Sequence, residues 1–236
     1  MEQFLSDFAE RCAEVEEYLC FIKFFDNIAT NKRQSLLAVD HYGTDITYTP
    51  SSRGQQILRS NFYLIIYNLT EATTNSIITS VIDQINDEKV PLIKLKEQIK
   101  KLYIGNKLYN VQANEKRINY TIELLRHIET GKHVNIEGFN FNISGNVDYN
   151  FINQILNKIG CIKRVDIEDE NLLKNAFEKS KIHRNKLAHG DELFSLMGAS
   201  LLLRDMEDDY QAIKTFFAQV LNNLKKYLEN RQYLKI

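Results

Sequence analysis

The sequence predicts a mainly α-helical protein, a helical bundle that carries a small β-hairpin insertion. Only two prolines and nine glycines occur in 236 residues, so few positions interrupt a helix. Several segments repeat apolar residues at spacings of three and four, the period of one helix face. Hydrophobic content of 44% and charged content of 26% are ordinary for a folded globular domain. We expect one domain over residues 1–236, with an insertion at 91–144 that contains charged helices and the hairpin.

The N-terminal part predicts two long helices. The first, over residues 2–28, has an apolar face made of Phe4, Phe8, Cys12, Val15, Leu19 and Ile22. Residues 38–52 are expected to be extended and loop-like, and a second helix follows over residues 53–86. Its centre is apolar nearly all round, which indicates burial, yet one stripe is polar: Asn61, Asn68, Glu71 and Asn75. These side chains could line a site or form an internal hydrogen-bond network.

The C-terminal part begins at Pro91 and predicts shorter elements before two further long helices. We expect helices over 92–109 and 115–130, a hairpin over 133–144, and a short helix that Asp148 caps and Gly160 ends. The last two helices are expected over 170–188 and 206–232. The inward stripe of the first of these reads Leu173, Phe177, Ser180, Arg184 and Leu187. Because Arg184 shares this stripe, its charge needs a partner or a ligand.

Charge and composition narrow the class of protein. The formal net charge of -1 differs from the strongly basic balance of proteins that coat nucleic acid, so any nucleic-acid contact is local. No apolar run is long enough to span a membrane, and the N-terminus lacks the basic start of a signal peptide. Three cysteines make an odd count, which favours a reduced, cytoplasmic protein. We expect no membrane association, no metal and no other cofactor.

The most specific chemical signal is the stretch Arg184-Asn185-Lys186-Leu187-Ala188-His189-Gly190. Arginine stabilises phosphate charge, and histidine can move a proton near pH 7. On RNA, His189 could deprotonate the 2′-hydroxyl while Arg184 stabilises the charge that develops on the phosphate. Asn185 could orient either side chain or a phosphate oxygen. The pattern predicts metal-free cleavage of RNA, with further RNA contacts from neighbouring basic residues: Lys181, His183 and Lys186.

The spacing of the two key residues sets a geometric condition. Arg184 and His189 are five positions apart, which is about 140° around a regular helix. They converge if the helix ends between them, as Gly190 could allow, or if two chains pair around a shared cleft. The structural alternative is an arginine that caps helix carbonyls and a histidine that interacts with the helix dipole.

The same residues resemble a known family. Arg184-Asn185…His189 is similar to the arginine, polar residue and histidine signature of the HEPN superfamily (higher eukaryotes and prokaryotes nucleotide-binding). Three longer segments resemble its MAE-type bacterial branch: RSNFYLIIYNLTEATTNSII, ISGNVDYNFINQILNKIG and HRNKLAHGDELF. The resemblance extends from about Gln56 to the C-terminus.

This resemblance implies a helical homodimer with metal-independent endoribonuclease activity that leaves 2′,3′-cyclic phosphate and 5′-hydroxyl ends. It also implies a toxin or an anti-phage effector, with an antitoxin or another defence protein as partner. Arg184 and His189 match the catalytic pair, Asn185 matches the polar position, and Asn68 and Glu71 are expected to support them. Some relatives carry a modifiable tyrosine two residues after the histidine, where this chain has Asp191. The alternatives are a module that binds RNA or a nucleotide without cleavage, and a partner-binding module.

Overall fold

A computed structural model describes residues 3–30, 35–109, 114–133, 135–136, 147–161 and 165–235. Within these ranges the chain forms eight α-helices and one two-stranded antiparallel sheet, which confirms the prediction of a mainly helical protein. The helices are α1 (Gln3–Thr30), α2 (Ser52–Asp87), α3 (Glu97–Tyr109), α4 (Asn114–Glu129), α5 (Tyr149–Ile159), α6 (Glu170–His189), α7 (Phe194–Ala199) and α8 (Leu203–Glu229). The strands are β1 (Leu36–Val39) and β2 (Asp45–Tyr48). None of the described helices is long and apolar enough to cross a membrane.

The chain divides into two compact units, and the boundaries between them fall inside α1, α2 and α8 and just before α6. The motif unit, which carries the Arg184–His189 stretch, comprises Ser6–Thr70 and Asp169–Thr215. The companion unit comprises Met1–Leu5, Glu71–Glu168 and Phe216–Ile236. The assignment of residues 1–236 to one domain with an insertion at 91–144 stays a prediction.

The core of the motif unit is built from the helix faces that the apolar spacing predicted. In α1 the predicted residues from Phe8 to Ile22 are buried, and α2 buries Phe62, Tyr63, Ile66 and Tyr67. The stripe of α6 is buried at Leu173, Phe177, Ser180 and Leu187, whereas Arg184 is half-buried. The first part of α8 contributes Met206, Tyr210 and Ile213. Burial of these stripes removes apolar area from water, which is the main force that holds the helices together.

Helix α7 packs closely on the start of α2 within the motif unit. A Cβ atom placed on Gly198 would lie 1.7 Å from the carbonyl oxygen of Gln56. No side chain fits at such a distance, so only glycine permits this contact. The sequence does not predict a helix here, because α7 has only six residues and Leu193 at its N-cap makes no side-chain hydrogen bond.

The companion unit contains α3, α4, α5 and the remaining parts of α2 and α8. Asp148 caps α5 by accepting a hydrogen bond from the Phe151 N–H at 2.9 Å, and Gly160 ends the helix with a φ of 75°. Both features were predicted. The hydroxyl of Tyr227 in α8 donates to the Ile159 carbonyl at 2.6 Å and ties the end of α5 to α8.

The structure differs from the sequence predictions at two further places, and a third prediction is largely untested. The predicted loop at 38–52 contains part of the β1–β2 hairpin, which turns at Gly43 with a φ of 82°. The helix predicted from residue 92 begins at Glu97, because Leu92–Lys94 form a 3₁₀ turn. Most of the hairpin predicted at 133–144 lies outside the described residues, which include only His133, Asn135 and Ile136 of that segment.

Candidate functional site

Helix α6 carries the motif and is fixed at both ends by capping residues. Asp169 accepts hydrogen bonds from the N–H groups of Asn171 and Leu172, both at 2.9 Å, and so satisfies two donors of the first turn. Gly190 ends the helix in the left-handed conformation with a φ of 75°. Because α6 remains helical through His189, it does not end between the two key residues. Arg184 and His189 therefore leave the helix about 140° apart.

Arg184 is half-buried and is held by a ring and an amide. Its guanidinium carbon lies 4.9 Å from the centroid of the Tyr67 ring on α2, within the range of a cation–π contact. Its Nη1 donates a hydrogen bond to Oδ1 of Asn185 at 3.0 Å. Within the part of the chain that the structure describes, no carboxylate pairs with this guanidinium. The charge can therefore be balanced by an anion from outside the chain.

The other predicted residues of α6 lie in different surroundings. His189 is exposed in the last turn, so its ring is open to a ligand. Lys186 is exposed and forms an ion pair with Glu192 at 3.0 Å, which offsets part of its charge. Lys181 is half-buried.

His183 is half-buried and packs against α2. Its ring meets the Tyr63 ring edge-on, with centroids 4.6 Å apart and planes at 73°. Its Nδ1 atom is buried, and the described residues give it no hydrogen-bond partner. Burial lowers the pKa of His183 below its ordinary value; Lys179 and Lys186 lower it further, while Glu192 and Asp209 oppose the shift. The RNA contact predicted for His183 stays a prediction and would involve a neutral ring.

An ionic cluster behind the motif, centred on the buried Asp209, was not predicted. The Asp209 carboxylate on α8 is 1% exposed and accepts a hydrogen bond from the hydroxyl of Tyr63 at 2.7 Å. The ammonium of Lys179 on α6 reaches both carboxylate oxygens at 3.1 Å. Burial raises the pKa of the Tyr63 hydroxyl, and the Asp209 charge raises it further, so this hydroxyl remains a donor. The cluster joins α2, α6 and α8 through one carboxylate.

The spacing of apolar residues along α8 indicates that Asp209 faces inward. Asp209 falls three residues after the buried Met206 and four before the buried Ile213, so it lies on the inward stripe. A carboxylate at such a position needs donors, but the sequence does not say which ones.

The two supporting residues predicted on α2 lie apart from these contacts. Asn68 is exposed, and its Oδ1 accepts a hydrogen bond from Nη1 of Arg11 on α1 at 3.3 Å. Together with Glu14 and Leu64 these two residues line a shallow surface groove between α1 and α2. Glu71 is half-buried and belongs to the companion unit. Support for the site from Asn68 and Glu71 stays a prediction.

Comparison with known proteins identifies the family to which the chain belongs. Comparisons with curated proteins and with solved structures gave no match. A family model described as MAE_28990-like HEPN matches residues 1–233, which is nearly the whole chain. The chain therefore belongs to the MAE_28990-like HEPN family, whose membership indicates a nucleotide-binding or ribonuclease-type module.

Proposed function

We propose that this protein is a metal-independent endoribonuclease that acts as a homodimer. The observation that carries the proposal is the guanidinium of Arg184, which is half-buried against Tyr67, bonded to Asn185 and paired with no carboxylate among the described residues. A planar cation held in this way is suited to a phosphate, because its N–H groups lie in one plane and bind oxygen pairs. The exposed imidazole of His189 on the same helix supplies the acid–base group.

The proposed reaction uses the 2′-hydroxyl of RNA as its nucleophile. His189 takes the proton from this hydroxyl, and the 2′-oxygen attacks the adjacent phosphorus. Arg184 stabilises the negative charge that grows on the phosphate oxygens, while Asn185 holds the guanidinium in place. The bond from phosphorus to the 5′-oxygen breaks, that oxygen takes a proton from water, and His189 returns its proton to the solvent. The products carry a 2′,3′-cyclic phosphate and a 5′-hydroxyl, and Lys181, His183 and Lys186 would contact the RNA nearby.

The direction of the two side chains supports the proposed homodimer. Since α6 is helical through His189, one copy points Arg184 and His189 in directions about 140° apart. A two-fold axis near this face would place His189 of one copy beside Arg184 of the other. Each RNA phosphate would then contact Arg184 of one copy and His189 of the other.

The proposal also includes a biological role, in competition between bacteria or in defence against phage. We propose a cytoplasmic toxin or anti-phage effector whose activity an antitoxin or another defence protein controls. Asp191 occupies the position where some relatives carry a modifiable tyrosine, so control by that modification is not part of the proposal.

The first test is cleavage of total cellular RNA in the presence of a chelator. We expect the native protein to cut RNA and leave cyclic phosphate ends, and His189→Ala to lower the rate about 10²- to 10⁴-fold through loss of the general base. His41→Ala is the matched control, because His41 is exposed in the hairpin turn and outside the motif. Equal cutting by the native protein and His189→Ala contradicts the proposal, as does cutting of DNA at the same rate.

The second candidate is a module that binds RNA without cleaving it. The divergence of Arg184 and His189 within one chain favours this alternative, since a monomer would hold only the arginine against the phosphate. It predicts that Arg184→Ala weakens RNA binding while no concentration of native protein produces cyclic phosphate ends.

A further inference from the structure

Two neighbouring tyrosines on α2 contact two consecutive residues of the motif helix. Tyr63 and Tyr67 are one helical turn apart, so their side chains lie on the same face of α2. Tyr63 meets the ring of His183 at 4.6 Å, and Tyr67 lies under the guanidinium of Arg184 at 4.9 Å. Both tyrosine side chains are 1% exposed, so core packing holds each ring in place.

The contact with Tyr67 places the guanidinium carbon over the face of the tyrosine ring. A ring face attracts the cation through its quadrupole, whereas the N–H donors of arginine point outward in the plane of the group. One of these donors binds Asn185 at 3.0 Å. The ring contact and the hydrogen bond to Asn185 together restrict the positions that the guanidinium can take. A cation that is already oriented loses less conformational entropy when it binds a phosphate.

The Asp209 cluster holds α2, which carries Tyr63 and Tyr67, in a fixed position along α6. The Tyr63 hydroxyl and the Lys179 ammonium meet on the same Asp209 carboxylate, at 2.7 Å and 3.1 Å. Since Tyr63 is on α2 and Lys179 is on α6, one buried group links the two helices one turn away from the Tyr67 contact. This link opposes a sliding of α6 that would carry Arg184 off the ring.

We propose that Tyr67 is the positioning residue of the site and that it orients the Arg184 guanidinium for an RNA phosphate. The part that concerns RNA rests on the proposed function, whereas the orientation of Arg184 does not. Tyr67 acts only through Arg184 and touches no substrate.

The first experiment observes Arg184 directly by NMR. A proton above an aromatic ring is shifted upfield, so the Nε–H signal of Arg184, assigned with Arg184→Lys, should lie upfield of the other arginine signals. We expect Tyr67→Phe to retain the upfield position because it keeps the ring, and Tyr67→Leu to remove it. If Tyr67→Leu lowers the melting temperature below that of the measurement, Tyr67→Met replaces it. An Arg184 signal that is the same in all these proteins overturns the proposal.

The second experiment measures binding of a 2′-O-methyl RNA, which cannot be cleaved by the proposed route, by fluorescence anisotropy. We expect Tyr67→Leu to raise the Kd about two- to thirty-fold, the range of a cation–π contact, and Tyr67→Phe to leave it near the native value. In an Arg184→Ala background, Tyr67→Leu should have no further effect. Tyr18→Leu, at a half-buried tyrosine on α1 in the same unit, is the matched control for stability.

The outcomes separate this inference from the proposed function. If Tyr67→Leu removes the upfield shift and weakens binding only when Arg184 is present, the inference holds even when no RNA is cut. If RNA is cut but Tyr67→Leu matches the native protein in kcat/KM and in the Arg184 signal, the inference is wrong and the nuclease remains. An equal loss of binding by Tyr67→Leu with and without Arg184 also overturns it, because the ring would then act only on stability.

Discussion

Arg184 shows how far the role of one residue follows from the sequence. Its place on the inward stripe of α6 predicted a charge that needs a partner or a ligand, and the structure makes it half-buried. Its contact with Asn185 is local and was foreseen as an orienting role. Its contact with Tyr67 was not foreseen, because that residue is distant in the chain and helical spacing says nothing about which helices meet.

His183 offers a prediction at the level of a single ionisable group. Burial against Tyr63 lowers its pKa, so we expect an NMR titration to give a value below the ordinary one of about 6.5. The charged groups that face it are Lys179 and Lys186 on α6, Glu192 after α6, and Asp209 on α8. The ring signal is assigned by its loss in His183→Gln. A value at or above that of an unfolded peptide contradicts the prediction.

The same shift gives the sign of a pH effect on stability. Between the folded and the unfolded pKa of His183, the unfolded chain binds more protons, so the free energy of unfolding rises with pH in that window. The contribution of His183 is complete above about pH 6.5 and is lost as the pH falls towards the lower, folded value. Urea unfolding at pH 7.5 and pH 5.5 should therefore show a smaller loss of stability for His183→Gln than for the native protein.

At the scale of elements, the long helices and the capped helix α5 were predicted well, whereas α7 and the β1–β2 hairpin were not. The apolar faces of α1 and α8 repeat over many turns, so their periodicity is unambiguous, and the residues on them are buried. α7 has six residues, too few for a period, and the signal of the β1–β2 hairpin is confined to a short turn at Gly43. The contact between Arg184 and Asn185 was foreseen because both residues lie on one helix, and the Asp209 cluster was missed because it joins three.

The crossing of α7 and α2 gives a prediction for an element contact. Gly198→Ala would place a methyl group 1.7 Å from the Gln56 oxygen, so backbone must move. We expect it to lower the free energy of unfolding by about 3 kcal/mol or more, at the upper end of overpacking effects. Gly105→Ala is the matched control, since Gly105 lies exposed within α3 and has no atom within 4 Å of an added Cβ.

The control should change stability in the opposite direction. Alanine loses less chain entropy than glycine in a helix, so Gly105→Ala is expected to add about 0.5–1 kcal/mol. Urea unfolding followed by circular dichroism measures both variants. Similar stabilities for Gly198→Ala and the native protein would show that α7 and α2 are further apart than the structure places them.

At the scale of the whole molecule, the fold supports the proposal that two chains together form the site. The core fixes the orientation of α6 through Leu173, Phe177 and Leu187, and Arg184 shares this inward direction. His189 leaves the same helix on its exposed side. Rotation of α6 about its axis would leave the angle of about 140° between the two side chains unchanged, so we expect the proposed two-fold pairing to bring them to one phosphate.

Mixing two inactive variants tests this arrangement. Arg184→Ala and His189→Ala each remove one residue from every shared site, so each dimer alone should be inactive. In a mixed dimer, one site lacks both residues and the other has native Arg184 from one copy and native His189 from its partner. Random exchange makes half of the dimers mixed, so RNA cleavage should recover to about a quarter of the native rate. Native mass spectrometry of tagged copies measures the exchange, and no recovery despite mixed dimers would mean that Arg184 and His189 do not act across the interface.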